Sequence, residues 1–262
     1  MALAHEGNMR PILLSAIGVS VYYGSKKVVY DVSLDMRSGE VFALLGPNGS
    51  GKSTMVKAFV RLADKEGDIR ILNLPMESFT RKTLARAAAY MPQKVQVVMP
   101  FKVMDVVLLG RYPWISFLGD YSDKDLNLAR HSLDEVGMTG FEDRIITTLS
   151  GGEVQRVMIA QCLTQDAAIM LLDEPTSALD PKYSIAVMRI LRNYVKNGRA
   201  ALCVMHDVNL ALRFADRVAL MKEGSIRYIC GSSEVDASML SDVFDVPWHI
   251  EEWQGGRIAL PL

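Results

Sequence analysis

Residues 44–54 read Leu-Leu-Gly-Pro-Asn-Gly-Ser-Gly-Lys-Ser-Thr, and no other stretch restricts the fold of this chain so tightly. Gly46 and Gly51 bracket four residues, and Lys52-Ser53 follow at once. That is the spacing of a phosphate-binding loop. Glycines let the backbone close around a polyphosphate, because no Cβ blocks its approach and positive φ is accessible. Successive N–H groups then form an anion nest, and the first turn of a following helix adds more unpaired N–H groups and a positive dipole end. The apolar run 41–45 before the loop reads as a buried strand, and residues 55–62 after it read as a helix. Lys52 is expected to reach the β- and γ-phosphates of a nucleotide, and the Ser53 hydroxyl to bind Mg²⁺.

A second apolar run, Ile169-Met170-Leu171-Leu172, ends in Asp173-Glu174. A buried strand of this kind delivers carboxylates at its C-terminal edge, where ligands bind in open α/β sheets. Asp173 is therefore expected to hold Mg²⁺, and Glu174 to orient or deprotonate an attacking water. Leu149-Ser150-Gly151-Gly152-Glu153 precedes a helical pattern over 151–165, with Val154, Val157, Met158 and Cys162 on one face. Ser150 can cap that helix, and the glycines leave its first N–H groups open to an anion.

The remaining pattern is α/β. Residues 12–36 alternate loosely and are rich in β-branched and aromatic residues, as in an antiparallel β-layer. Short strands are expected near 67–72, 87–91 and 200–205, a helix from Asp180-Pro181 to about 196, and a hairpin over 217–230 turning at Glu223-Gly224. Between 94 and about 150 only helical patterns occur, near 102–110 and 123–137, separated by an aromatic, interrupted run from Gly110 to Gly119. This reads as a helical insertion into a single domain spanning 1–262. The tail from 232 holds one short helix and a possible turn at Gly255-Gly256.

With 262 residues, half of them hydrophobic, the chain can bury one large core. A net charge of −1 gives no field that would draw it to nucleic acid. Cys162, Cys203 and Cys230 sit among apolar residues with no C-x-x-C pair, as expected of buried thiols in a reducing compartment. No apolar run approaches the roughly 20 residues that span a bilayer, and residues 1–10 lack the pattern of a signal peptide.

Taken in order, 46–54, Gln93, 149–153, 169–174, Ser177-Ala178-Leu179-Asp180 and His206 resemble the ATP-binding subunits of ABC transporters over nearly the whole chain. The length and residues 105–113 resemble, within that family, subunits that serve importers of iron–siderophore, haem and cobalamin complexes. The resemblance implies a P-loop NTPase core with a mainly parallel sheet, an antiparallel β-layer and an inserted helical subdomain. It implies ATP and Mg²⁺ as ligands. Gly46, Pro47, Asn48, Gly49, Ser50, Gly51, Lys52, Ser53 and Thr54 would bind ATP, and Tyr23, or its neighbour Tyr22, would stack on adenine. Ser53, Gln93 and Asp173 would hold the metal, and Glu174, His206, Lys52 and Gln93 would act on the γ-phosphate and the attacking water. Ser150, Gly151, Gly152 and Glu153 would complete the nucleotide site of a second copy, with Asp180 in the loop facing it. Implied partners are that second copy, integral membrane permease subunits and, indirectly, an extracytoplasmic substrate-binding protein. The implied location is peripheral, on the cytoplasmic face of the inner membrane. The rival reading is a non-transport relative such as an iron–sulfur assembly ATPase. The double change Tyr112→Ser, Trp114→Ser in an aromatic cluster with Pro113, Ile115, Phe117 and Leu118 is expected to break docking to the membrane subunit and leave the fold intact.

Overall fold

The computed structural model describes residues 10–94, 98–116, 119–253 and 256–262. The strands are β1 (Ile12–Tyr23), β2 (Lys26–Arg37), β3 (Val41–Leu45), β4 (Asp64–Ile71), β5 (Leu74–Pro75), β6 (Ala88–Met91), β7 (Ile169–Asp173), β8 (Ala200–Val204), β9 (Arg217–Lys222), β10 (Ser225–Gly231), β11 (Trp248–Trp253) and β12 (Gly256–Pro261). The helices are α1 (Lys52–Phe59), α2 (Arg81–Ala87), α3 (Val103–Leu108), α4 (Asp123–Glu135), α5 (Gly151–Gln165), α6 (Pro181–Val195), α7 (Val208–Phe214) and α8 (Ala237–Phe244).

A six-stranded sheet in the order β10-β9-β3-β8-β7-β6 forms the centre, parallel from β9 to β6. β3 and β8 are apolar at every position, and β7 at all but its last residue, Asp173, because both faces are covered. Val41, Ala43 and Leu45 of β3 join one core with Met170 and Leu172, beneath α5 and α6. Phe42 and Leu44 join the other with Ile169 and Leu171, against α1 and the antiparallel sheet β2-β1-β4-β5. The register brings the functional strand ends level: Leu44 pairs with Val204, Val204 with Asp173, and Leu172 with Met91. The segments that follow β3, β6, β7 and β8 thus leave the sheet at one edge.

Between β6 and β7 the described residues hold α3, α4, α5 and 3₁₀ turns at Leu109–Trp114 and Ile146–Thr148, with no strand longer than an isolated bridge between Lys102 and Ile145. Helix α4 ends before the expected 137 because Gly137 takes a positive φ of 68°. Gly110 is where the 3₁₀ turn meets α5; a Cβ there would lie 2.3 Å from the Gln161 carbonyl oxygen.

The aromatic cluster is more structural than its sequence suggests. The Trp114 indole N–H donates to the Gln165 carbonyl at 2.8 Å, and the guanidinium carbons of Arg86 and Arg111 each lie 5.2 Å from a Trp114 ring centroid. Pro113 is buried, whereas Tyr112 is 68% exposed. Trp114 is 40% exposed, and Trp114→Ser would remove these contacts within the fold. Phe117 and Leu118 lie outside the described residues, as does Gly255 of the expected turn. Cys162 and Cys203 are buried, with thiols pushed up to about 12 by desolvation, but Cys230 is only half-buried.

Candidate functional site

The phosphate loop is shaped by contacts that admit only glycine. Gly46 has φ 151°, and a Cβ there would fall 2.0 Å from the Met221 carbonyl oxygen. Gly51 caps α1 at φ 97° and offers no side-chain acceptor, so the first N–H groups of the helix stay free for an anion. Lys52 is buried, and its ammonium folds back on the loop. It donates to the carbonyls of Gly46 at 2.8 Å and Pro47 at 2.9 Å, with the Ser50 hydroxyl at 3.4 Å. Desolvation lowers its pKa, because these neutral acceptors replace water without supplying a counter-charge.

Opposite the loop, the Ser53 hydroxyl donates to Asp173 Oδ1 at 2.8 Å. Asp173 is 1% exposed, and burial, followed by the neighbouring Glu174 carboxylate, raises its pKa against the opposing pull of the Ser53 bond. Glu174 Oε1 lies 2.6 Å from His206 Nε2, a bond between residues 32 positions apart that the parallel register brings together. The backbone of Glu174 is left-handed at φ 56°, an uncommon setting for a residue with a side chain. Gln93, Glu174 and His206 line one cleft of about 530 Å³ with Asn48, Gly49, Gly51, Lys52, Ser53 and Thr54. Pro47 and Ser50 belong to the loop but are turned toward Lys52.

The other expected residues lie apart from this cleft. Tyr23 is 75% exposed, whereas the Tyr22 hydroxyl donates to Glu66 at 2.9 Å. Of the two, Tyr23 has the free ring. Ser150 caps α5 in a reciprocal box: its N–H and its hydroxyl each reach Glu153 Oε2 at 2.8 Å, and its hydroxyl accepts from the Glu153 N–H at 3.4 Å. Gly151 is exposed, and a Cβ on Gly152 would lie 3.1 Å from the Ala178 carbonyl oxygen. Asp180 caps α6, accepting from the Tyr183 N–H at 3.0 Å.

Two residues near the site have no role assigned from sequence: Tyr90 reads only as part of a short strand, and Gln155 only as the continuation of 149–153. Tyr90 on β6 is partly buried near Asp173; its hydroxyl has no partner among the described residues, and burial followed by Asp173 pushes it up to about 12. Gln155 bonds the backbone at Glu174 and Ala178. The oxygen donors of Ser53, Asp173 and Gln93 suit a hard divalent cation such as Mg²⁺, and Asp173 is a buried carboxylate that, among the described residues, pairs with the neutral hydroxyl of Ser53 and forms no salt bridge.

Residues 29–177, more than half of the chain, match the family model described as ABC transporter. The chain is 40% identical over 241 residues to the hemin import ATP-binding protein HmuV of Streptomyces coelicolor, covering 91% of this chain and 85% of that protein. It is 36% identical to the petrobactin import ATP-binding protein FpuD of Bacillus anthracis, covering 88% and 86%. Among solved structures, a chain of a transporter assigned to the metal-chelate type, in an inward-facing conformation, superposes with a TM-score of 0.82 at 23% identity over 96% of this chain and 98% of that one. A dimeric ATP-binding cassette with ADP and Pi superposes with a TM-score of 0.74 at 26% identity, covering 84% and 98%. With this phosphate loop, this carboxylate pair and these relatives, the chain belongs to the ABC transporter ATP-binding family and is an ATPase of that family.

Proposed function

We propose that the chain powers import of a metal chelate, working as a head-to-tail pair beneath membrane permease subunits on the cytoplasmic face of the membrane. The observation that carries the catalytic part is the Glu174–His206 bond facing Lys52 and Ser53 across one cleft. Glu174 takes the proton of the attacking water, and His206 Nε2 holds its carboxylate toward the phosphate loop. Lys52 exchanges its loop carbonyls for phosphate oxygens, which restores the counter-charge that burial denies it. Ser53, Asp173 and Gln93 are the residues to hold Mg²⁺, which supplies charge neutralisation on the phosphate oxygens when bound.

Residues 150–153 do not line the phosphate-loop cleft. Each site is then incomplete without a second copy that presents its exposed Ser150–Gly151 end, a geometry that two-fold pairing satisfies. The names of the relatives, which specify hemin and petrobactin import, support the substrate class. Such an importer also draws on an extracytoplasmic substrate-binding protein. The permease dock lies between Gln93 and α4, in the segment 94–118. Its described part exposes Met99, Phe101, Leu109 and Tyr112, a concentration of apolar side chains of the kind that marks interfaces. No helix among the described residues is long and apolar enough to cross a membrane, and on this reading the permease subunits supply the membrane path.

The test uses cells lacking this chain. Uptake of labelled hemin or of a ferric siderophore should fall, and the wild-type chain should restore it. The variant Met99→Ser, Tyr112→Ser should keep basal ATP hydrolysis, lose co-purification with the permease and fail to restore uptake. Unchanged uptake of both chelates, with the chain purifying with soluble partners alone, would favour the iron–sulfur assembly reading instead.

A further inference from the structure

We propose that Gln155 is a positioning residue for Glu174, the joint through which movement of α5 reaches the catalytic carboxylate. This deepens the reading of Glu174 as the base and rests on it. Gln155 lies in the second turn of α5 and is 8% exposed. Its amide is committed to two backbone atoms beyond β7. Nε2 donates to the Glu174 carbonyl at 2.8 Å, and Oε1 accepts from the Ala178 N–H at 3.1 Å. The partners fix the orientation of the amide, since a carbonyl can only accept and a backbone N–H can only donate.

The residue that Gln155 holds is the one that needs holding. A left-handed backbone at a non-glycine residue persists only where its surroundings over-determine it. The Glu174 N–H donates to the Val204 carbonyl of β8 at 3.1 Å. Its carbonyl receives the Ser177 N–H at 3.3 Å, the Ser177 hydroxyl at 3.1 Å and Gln155 Nε2. Ser177 is local to the same turn, so among the described residues Val204 and Gln155 are the two supports that reach the backbone of Glu174 from other elements, while His206 holds its carboxylate. One comes from the sheet and the other from α5.

Helix α5 also packs with α3, α4, the Leu109–Trp114 turn and strand β6. Its N-terminal end touches the 174–178 turn twice on one side, at Gly152 and at Gln155. Next to this contact is an open cleft of about 360 Å³, lined by Gln93, Lys94, Met158, Gln155 and Ala178. The cleft leaves room for α5 to shift against the core, while the Gln155 amide ties that shift to the backbone of Glu174. A ligand on Ser150, at the start of the same helix, is thereby felt at the carboxylate of the same chain.

The experiment compares Gln155→Met and Gln155→Glu in the full-length chain, beside Glu174→Gln and the wild type. The methionine keeps the volume and loses both bonds. The glutamate keeps the acceptor for Ala178 and loses the donor to Glu174. Both variants should lower kcat by about 10²-fold, the cost of roughly 1 Å of misplacement. The KM for ATP and ATP-dependent dimerisation should stay as in the wild type, a split that loss of general stability would not give. Should Gln155→Met melt too low to assay, Gln155→Glu decides. Wild-type turnover in Gln155→Glu, or a raised KM with kcat unchanged, overturns the joint. Normal turnover in Glu174→Gln would instead overturn the base assignment, which separates the two failures.

Discussion

Asp173→Asn should stabilise the nucleotide-free protein and remove its response to Mg²⁺-ATP. Asp173 is almost fully buried, next to a second carboxylate, and among the described residues the hydroxyl of Ser53 is its one hydrogen-bond donor. The nearby ammonium of Lys52 is turned to the carbonyls of Gly46 and Pro47 instead. Asparagine keeps the Ser53 bond and the shape, and removes one of two like charges. Relief of an under-paired buried group is on the order of 1 kcal/mol, which corresponds to about 2–4 °C in Tm for a chain of this size class. The pH dependence has a definite sign. The folded pKa of Asp173 is raised, so the folded state holds this proton more strongly than the unfolded chain. The wild type therefore has its full stability below the unfolded carboxylate value of about 3.9 and loses part of it as pH rises through the raised folded value. The variant does not, so the gap in Tm should be absent in acid and open toward neutral pH. Saturating Mg²⁺-ATP should reverse the order. A hundredfold excess over Kd is worth about 2.7 kcal/mol to the wild type and little to a variant lacking the metal carboxylate. Differential scanning fluorimetry of both proteins across pH, with and without Mg²⁺-ATP, reads every arm. A variant that melts below the wild type at neutral pH without nucleotide would refute the argument.

Lys52→Ala should weaken ATP affinity and hydrolysis together, because a cation on the phosphates serves ground state and transition state alike; ATP titration and steady-state assay check it, and wild-type affinity would count against it. Ser150→Arg should stop hydrolysis while leaving ATP binding to the monomer intact. Mixed with Lys52→Ala protein it should regain activity, since one composite site of the mixed dimer carries neither change. Mixed dimers that form and stay inactive would contradict the shared site.

The phosphate loop was legible because its geometry is local: strand, glycines and helix adjoin in the chain, and Gly46 and Gly51 hold backbone angles that only their residue type tolerates. Asp173 was legible because four apolar residues announce a buried strand that must end at the ligand edge. Contacts between distant segments were not. Ser53 meets Asp173 across 120 positions, and Gln155 meets Glu174 and Ala178 because α5 packs on the sheet, which no spacing encodes. Helices α2 and α7 have seven residues each, too few to show a helical period, although Thr80 and Asp207 cap them. β11 escaped because only Trp248 and Ile250 are half-buried and its other four residues, Glu251 and Glu252 among them, are exposed. Trp114 read as a free aromatic because Arg86 and its acceptor at Gln165 lie in other elements, and only Arg111, three residues before it, shares its 3₁₀ turn.

Glu174→Gln, assayed for ATP binding and for hydrolysis in one preparation, bears most directly on the cleft as a hydrolytic centre. The amide keeps the shape and an acceptor for His206 Nε2, and removes only the basic oxygen. ATP should still bind and hold two copies together, while turnover falls by about 10²–10⁴-fold, the usual cost of losing a general base. Turnover at the wild-type rate, with ATP bound, would contradict it.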